Sequence, residues 1–201
     1  MQKAVLNVGG GTKSIAIAPR YAQWRHDLLD IDPAVRPDVL LDARRLTELA
    51  AQSYDAVWCS NNIEHYCEGD ALKVLRGFVH VLKPAGFAEI RVPDLVSLFR
   101  HVVAKGVELT EPLYFVAGAP ITLRDVIYGY GAEIERSGNS FYAHKSGYSP
   151  SVLREMFAAA GFRYAVIGPP APSEMACSMY AVAFKNVPDE AYLKWVLTGQ
   201  P

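Results

Sequence analysis

The sequence predicts an α/β protein with a doubly wound, mostly parallel seven-stranded sheet whose last strand runs antiparallel. Three observations lead there. Apolar runs alternate with helix-period segments along the chain, the pattern of strands joined by crossovers. Three consecutive glycines follow the first run directly, where an open sheet of this kind turns its chain past a ligand. The last two runs are joined by the short proline-rich stretch PPAPS, which cannot hold a crossover helix, so they must pair antiparallel.

The elements follow in order. KAVLNV is the first strand, RHDLLDI (25–31) the second, and PDVLL (37–41) the third, behind the turn at Asp32-Pro33. LTELAAQ predicts a short helix, and YDAVWCS (54–60) a fourth strand. ALKVLRGFVHVLK predicts a helix with Leu72, Leu75, Val79 and Leu82 on one face and Lys73, Arg76, His80 and Lys83 on the other. Pro84 and Gly86 close it, and FAEIRVP (87–93) is the fifth strand. Residues 94–148 read as an insertion, irregular and aromatic-rich after a helix near 94–105. Ser149 as N-cap, Pro150 at N1 and Gly161 at the end bracket the helix VLREMFAAA. FRYAVIG and MACSMYAVAFKN are the sixth and seventh strands.

Composition limits the function. The 201 residues are 51% hydrophobic and 20% charged, enough for one domain with a full core. A net charge of −1 without a local Lys/Arg cluster leaves no footprint for a nucleic acid. No apolar run is long enough to span a membrane, and the chain starts straight into a strand rather than a signal peptide. Cys59, Cys67 and Cys177 lack CxxC spacing, which fits a reducing cytoplasm and argues against a disulfide framework or zinc site. Cys59, Cys67 and His65 together suggest no metal either, because Cys59 belongs to a buried strand.

The stretch VLNVGGGTKS admits three ligands. A P-loop ending at Lys13-Ser14 needs glycines at positions 7 and 12, where Asn7 and Thr12 stand. A dinucleotide GxGxxG anchored on Gly9 and Gly11 wants a small residue at 14, and Ser14 fits only marginally. What survives is GxG, shared by nucleoside-binding folds and by ordinary tight turns.

The order of motifs resembles that of a class I S-adenosylmethionine-dependent methyltransferase of the small single-domain kind, across residues 4–185. The matching segments are NVGGG, LDIDP, LLDAR, YDAVWCSNNIEHY, HVLKPAGFAEIRVPDL and FYAHKSGYSPSVLREMFAAAGF. The resemblance implies a Rossmann-like fold spanning 1–201 as one domain, with S-adenosylmethionine as cofactor and transferase activity. It places the cofactor against Asn7, Gly9, Gly10, Gly11, Asp30, Ile31, Asp42, Ala43, Ser60 and Asn61. Gly9 and Gly11 would bring backbone close to the ligand. Asp30, at the carboxyl end of strand two, can accept from both ribose hydroxyls, whereas Asp32 before Pro33 suits a turn. Asp42 and Ala43 would lie beside the adenine, and Asn61 between cofactor and acceptor.

Two departures stand out. Asn7 replaces the acidic residue usual in such enzymes, and TKSIAIAPRYAQW lacks helical periodicity, so the helix after the glycine turn is short or absent. Its N-terminal dipole goes with it. Lys13, or failing it Arg20, is then the candidate counter-charge for the cofactor's carboxylate.

His144 and His65 are the candidate catalytic residues, able to take a proton from an acceptor or to hold loops in place. Aromatics of the insertion, with Arg124, Asp125, Glu133 and Arg136, would receive a small-molecule acceptor such as a sugar or secondary metabolite, methylated on oxygen or nitrogen. Two alternatives are a catalytically degenerate relative that binds a nucleoside or partner chain, and a nicotinamide-dependent oxidoreductase.

Overall fold

Residues buried on both faces need near-continuous apolar runs, and the central strands have them. The computed structural model describes residues 2–116, 118–169 and 177–199. β1 (Ala4–Val8) is buried throughout, β4 (Tyr54–Ser60) nearly so, and β5 (Leu82–Pro93) lies beside β4. With β2 (Arg25–Asp30), β3 (Val39–Leu40), β8 (Tyr164–Gly168) and β9 (Ser178–Phe184) they form one sheet in the order β3-β2-β1-β4-β5-β9-β8. β1 pairs parallel with both β2 and β4, and β4 with β5. β9 runs antiparallel to β5 and β8. The seven strands and the reversed last strand match the expectation. The PPAPS turn falls largely outside the described residues, as does the start of the seventh predicted strand.

Alternation along the strands divides the core. Leu6, Val57, Ala88, Ile90 and Ala181 face one layer, with Val5, Ala56, Phe87 and Val182 in the other. The first layer is covered by α1 (Glu68–Val81) and α5 (Pro150–Ala160). Ser149 caps α5 and Gly161 ends it at φ +105°, as the sequence predicts.

Helix α1 differs from expectation. Its buried stripe is Ala71, Val74, Leu75, Phe78 and Val81; Leu72 and Val79 only flank the core, and His80 is half-buried with Nε2 against Leu49 O at 2.9 Å. Gly77 sits on Leu46, whose Cβ would lie 2.6 Å from an added methyl, so close approach sets the rotation of the helix. It stops at Val81 because a residue before proline, here Lys83, is driven into extended backbone. Leu82, expected on the helix, already belongs to β5. The short helix expected over LTELAAQ is instead a kinked 3-10 segment, Ala43–Glu48.

The second layer explains the missing first helix. Between β1 and β2 the chain forms only a 3-10 turn, Pro19–Tyr21, which buries Tyr21 against Trp58. The rest of that face is covered by α6 (Glu190–Thr198), an element absent from the sequence reading, through Val196 and the stack of Trp195 on Trp24 at 6.4 Å. Glu89 of β5 is buried in this layer, a charge that needs partners. Tyr21 and Tyr180 donate their hydroxyls to its two oxygens, and Arg20 lies 3.3 Å away.

Residues 94–148 are more ordered than expected. Asp94 caps α2 (Leu95–Lys105) by accepting from Val96 and Ser97 N–H. β6 (Pro112–Val116) and β7 (Ala119–Thr122) pair as an antiparallel hairpin, followed by α3 (Leu123–Tyr128) and α4 (Gly131–Ser137). Leu98, Leu123 and Val126 form their small core, while Phe115, Tyr128, Phe141 and Tyr142 are exposed rather than packed into it.

Candidate active site

Connections leave β1 in opposite directions, so a crevice opens at the carboxyl ends of β1 and β4. Val8 pairs with Leu29 and with Cys59, which sets the glycine turn, Asp30 and Ser60-Asn61 side by side. A cavity of about 470 Å³ lies there.

Its floor is bare backbone. Gly9 and Gly11 take φ of +69° and +64°, a conformation costly for any residue with a Cβ. Gly9 N–H donates to Leu29 O at 2.8 Å and Thr12 N–H to Gly10 O at 2.6 Å, closing the turn. Asp30 braces it: Oδ2 accepts from Gly11 N–H at 3.2 Å and Oδ1 from Asp32 N–H at 3.0 Å. Gly11, Asp30 and Asp32 all line the cavity. No residue from 12 to 24 lines the cavity.

Opposite stands Asp42, whose carboxyl is held below the usual range by its hydrogen bonds with the Arg44 guanidinium. Arg44 also reaches Asp70 at 3.0 Å, so one cation serves two carboxylates. Among the described residues no ion pair involves Asp30 or Asp32, and the cavity carries net negative character.

The far wall comes from the end of the insertion. Lys145 and Ser146 N–H donate to Glu64 O at 2.8 and 3.2 Å, and Tyr148 Oη donates to Ile63 O at 3.1 Å. These bonds tie residues 143–148 to the turn after β4 and bring Phe141, Tyr142 and Lys145 over the cavity.

The predicted residues divide accordingly. Gly9, Gly11, Asp30, Ile31, Asp42, Asn61 and His65 line the cavity. Asn7, Gly10, Lys13, Ala43, Ser60 and His144 do not. Asn7 is buried beneath the turn, where a methyl on Gly10 would meet its amide at 2.3 Å, and Ala43 packs into the core. Lys13 points away to Asp38 at 2.6 Å, and Arg20 is committed to Glu89, so neither offers a counter-charge at the cavity. Lys145 and Arg44 are the cations that face it. Asp32, read as a turn former, does cap Ala34 N–H at 2.8 Å but lines the cavity as well.

His65 and His144 meet edge to face, ring centroids 4.9 Å apart. His65 Nδ1 lies 3.1 Å from Ala143 O and His144 Nδ1 3.0 Å from Val126 O. Burial lowers the pKa of both; for His65 the Ala143 and Asn61 carbonyls oppose that and Lys145 adds to it, while His144, with the neighbouring His65 ring adding to burial, falls to about 4. Beside them Glu64 is fully buried, and burial pushes its carboxyl up to about 8.

The sheet order, the reversed last strand and the crevice at the glycine turn give a Rossmann-like fold. Residues 6–90 match the family model of a methyltransferase domain. The search of curated proteins finds none that matches the chain. Among solved structures, a SAM-dependent methyltransferase from Archaeoglobus fulgidus is similar at TM-score 0.56 and 15% identity, over 92% of this chain and 86% of that one. A possible histamine N-methyltransferase from Thermotoga maritima gives 0.55 and 15%, over 92% and 84%. The CurJ carbon methyltransferase gives 0.54 and 12%, over 92% and 49%. At these identities the likeness is one of fold. Among the described residues no helix is long and apolar enough to cross a membrane.

Proposed function

We propose that this chain methylates an oxygen or nitrogen of a small-molecule acceptor, with S-adenosylmethionine as donor, acting as one domain whose insertion at about 94–148 faces the acceptor. One observation carries the reading: two positive-φ glycines and the aspartate that accepts from Gly11 N–H share a cavity at the carboxyl ends of β1 and β2. The residues present fit the cofactor. Gly9 and Gly11 offer a surface without side chains, Asp30 an acceptor pair for a ribose diol, and Asp42 and Ile31 the flanks of an adenine site. The uncompensated charge of Asp30 and Asp32 favours a ligand that bears a sulfonium and an ammonium. S-adenosylmethionine supplies an electrophilic methyl group when bound.

The protein's own part is placement. Asn61, held at φ +48° with its N–H on Arg91 O at 2.9 Å, presents its side chain at the end of β4. Phe141 and Tyr142 line the cavity from the insertion and would shield a bound acceptor from water. Orientation for in-line displacement can supply roughly 7–11 kcal/mol of a barrier, so a strong base is not required. His65 faces the cavity, and with Nδ1–H donating to Ala143 O its ring would lie within reach of an acceptor hydroxyl or amine.

A thermal-shift measurement tests this. At about a hundred times its dissociation constant, S-adenosylmethionine adds about 2.7 kcal/mol and raises the melting temperature by roughly 5–10 °C. NAD gives no shift. A shift with NAD alone favours an oxidoreductase, and no shift with either favours a degenerate relative; a methyl-transfer assay over hydroxyl and amine acceptors follows.

A further inference from the structure

We propose that Glu64, His65 and His144 bind a divalent transition-metal ion, zinc being the ion that two imidazoles and one carboxylate suit best. The site stands apart from the S-adenosylmethionine reading and does not depend on it. One carboxylate oxygen of Glu64 and one ring nitrogen of each histidine lie within 4.8 Å of one another. Zinc bonds of about 2.0–2.2 Å in a tetrahedron set donor atoms roughly 3.3 Å apart, so the widest pair must close by about 1.5 Å. Rotation about the side-chain torsions of Glu64 supplies movement of that size.

Two further observations point to a ligand. Glu64 is 1% exposed, and neither carboxylate oxygen has a hydrogen-bond partner among the described residues. A carboxyl is not left buried without a partner unless something else satisfies it. Both imidazoles, in addition, hold Nδ1 against backbone carbonyls, Ala143 O at 3.1 Å and Val126 O at 3.0 Å. A carbonyl only accepts, so each Nδ1 carries the proton, and Nε2 of His144 keeps its lone pair. This is how the outer shell of a metal site orients histidine ligands.

The placement has a structural consequence. Glu64 and His65 belong to the 3-10 turn after β4, and His144 to the end of the insertion, 79 residues further on. An ion shared by them would staple the acceptor-side segment to the sheet beside the cavity wall formed by His65. His65 would then serve as a ligand, not as a proton acceptor. Lys145, whose charge acts on His65, is exposed and can swing away from the ion.

The test uses the full chain stripped with a chelator, titrated with zinc by calorimetry and with cobalt(II) by visible absorption. One ion per chain is expected, with cobalt d–d bands and a melting temperature raised by zinc. Glu64→Gln and His144→Ala each weaken zinc binding at least about tenfold, the loss that follows even from removing an outer-shell partner. Glu64→Gln keeps the buried shape, so its melting temperature without metal stays at the parent's value and reports an intact fold. Cys67→Ser, which removes an exposed thiol, leaves binding unchanged. No stoichiometric binding of zinc or cobalt, binding that survives in Glu64→Gln, or binding lost in Cys67→Ser would each overturn the site. The S-adenosylmethionine shift, measured on the same stripped protein, separates the two readings: a cofactor shift without ion binding removes only the metal site, and the reverse removes only the cofactor.

Discussion

Replacing Asp30 with alanine probes the cavity most directly. Its carboxylate accepts Gly11 N–H at 3.2 Å and Asp32 N–H at 3.0 Å and borders the cavity between them. Hydrogen bonds to a charged acceptor contribute about 1.5–3 kcal/mol, but Asp30 is half-exposed and water can replace it, so the pair is worth about 1–2 kcal/mol to the fold. For a chain of this length that lowers the melting temperature by roughly 2–8 °C. A ribose diol on the same carboxylate adds a separate loss of about 1.5–3 kcal/mol, a roughly ten- to 150-fold weaker Kd. Calorimetric titration of S-adenosylmethionine into parent and variant, well below the variant's melting point, reads the second loss apart from the first. A lowered melting temperature with the parent's affinity would refute the reasoning, since Asp30 would then only brace the turn.

Other outcomes follow from the same geometry. Gly9→Ala and Gly11→Ala both force alanine into left-handed backbone, roughly 1–2 kcal/mol, but only at Gly9 would the new Cβ meet a side chain, 2.0 Å from Asn62 Nδ2. Urea unfolding should show the larger loss for Gly9→Ala, and equal losses would contradict the packing of Asn62 under the turn. Tyr180→Phe removes the donor 2.6 Å from Glu89 Oε2 and costs about 1–3 kcal/mol, with the melting temperature down by roughly 2–4 °C per kcal/mol; no change would mean that the buried carboxylate needs no second hydroxyl. Arg44→Met frees Asp42, whose folded pKa lies below its unfolded value. The stabilisation lost, under about 1 kcal/mol at so exposed a pair, is full above pH ~4 and vanishes as pH falls through the depressed folded value. Melting curves of the two proteins should converge in acid; a gap that widens there would reverse the assigned direction.

The sheet was legible because its strands are continuous apolar runs, and because a link as short as PPAPS admits only a reversed pair. Helix α5 was legible from its own caps, Ser149, Pro150 and Gly161. The rotation of α1 was not, since it is set by how closely Gly77 approaches Leu46, a contact between segments 31 residues apart. Nor was α6, which owes its place to Trp24 on the same face of the sheet rather than to a strong stripe of its own.

The site divides in the same way. Gly9, Gly11, Asp30, Asp42 and Asn61 were readable because strand ends point at the crevice of any open α/β sheet, so position along the chain implies position in space. Lys13 was misread because its direction depends on a loop whose path is drawn by the burial of Tyr21 and by Asp38. Arg44, Asp70, Tyr142 and Lys145 meet at the cavity only through packing between distant elements. Sequence by itself determined which residues the sheet must carry to its edge, since backbone periodicity and burial are local. Which side chains turn inward there, and which buried acid joins two histidines, was decided by tertiary contacts that no local pattern encodes.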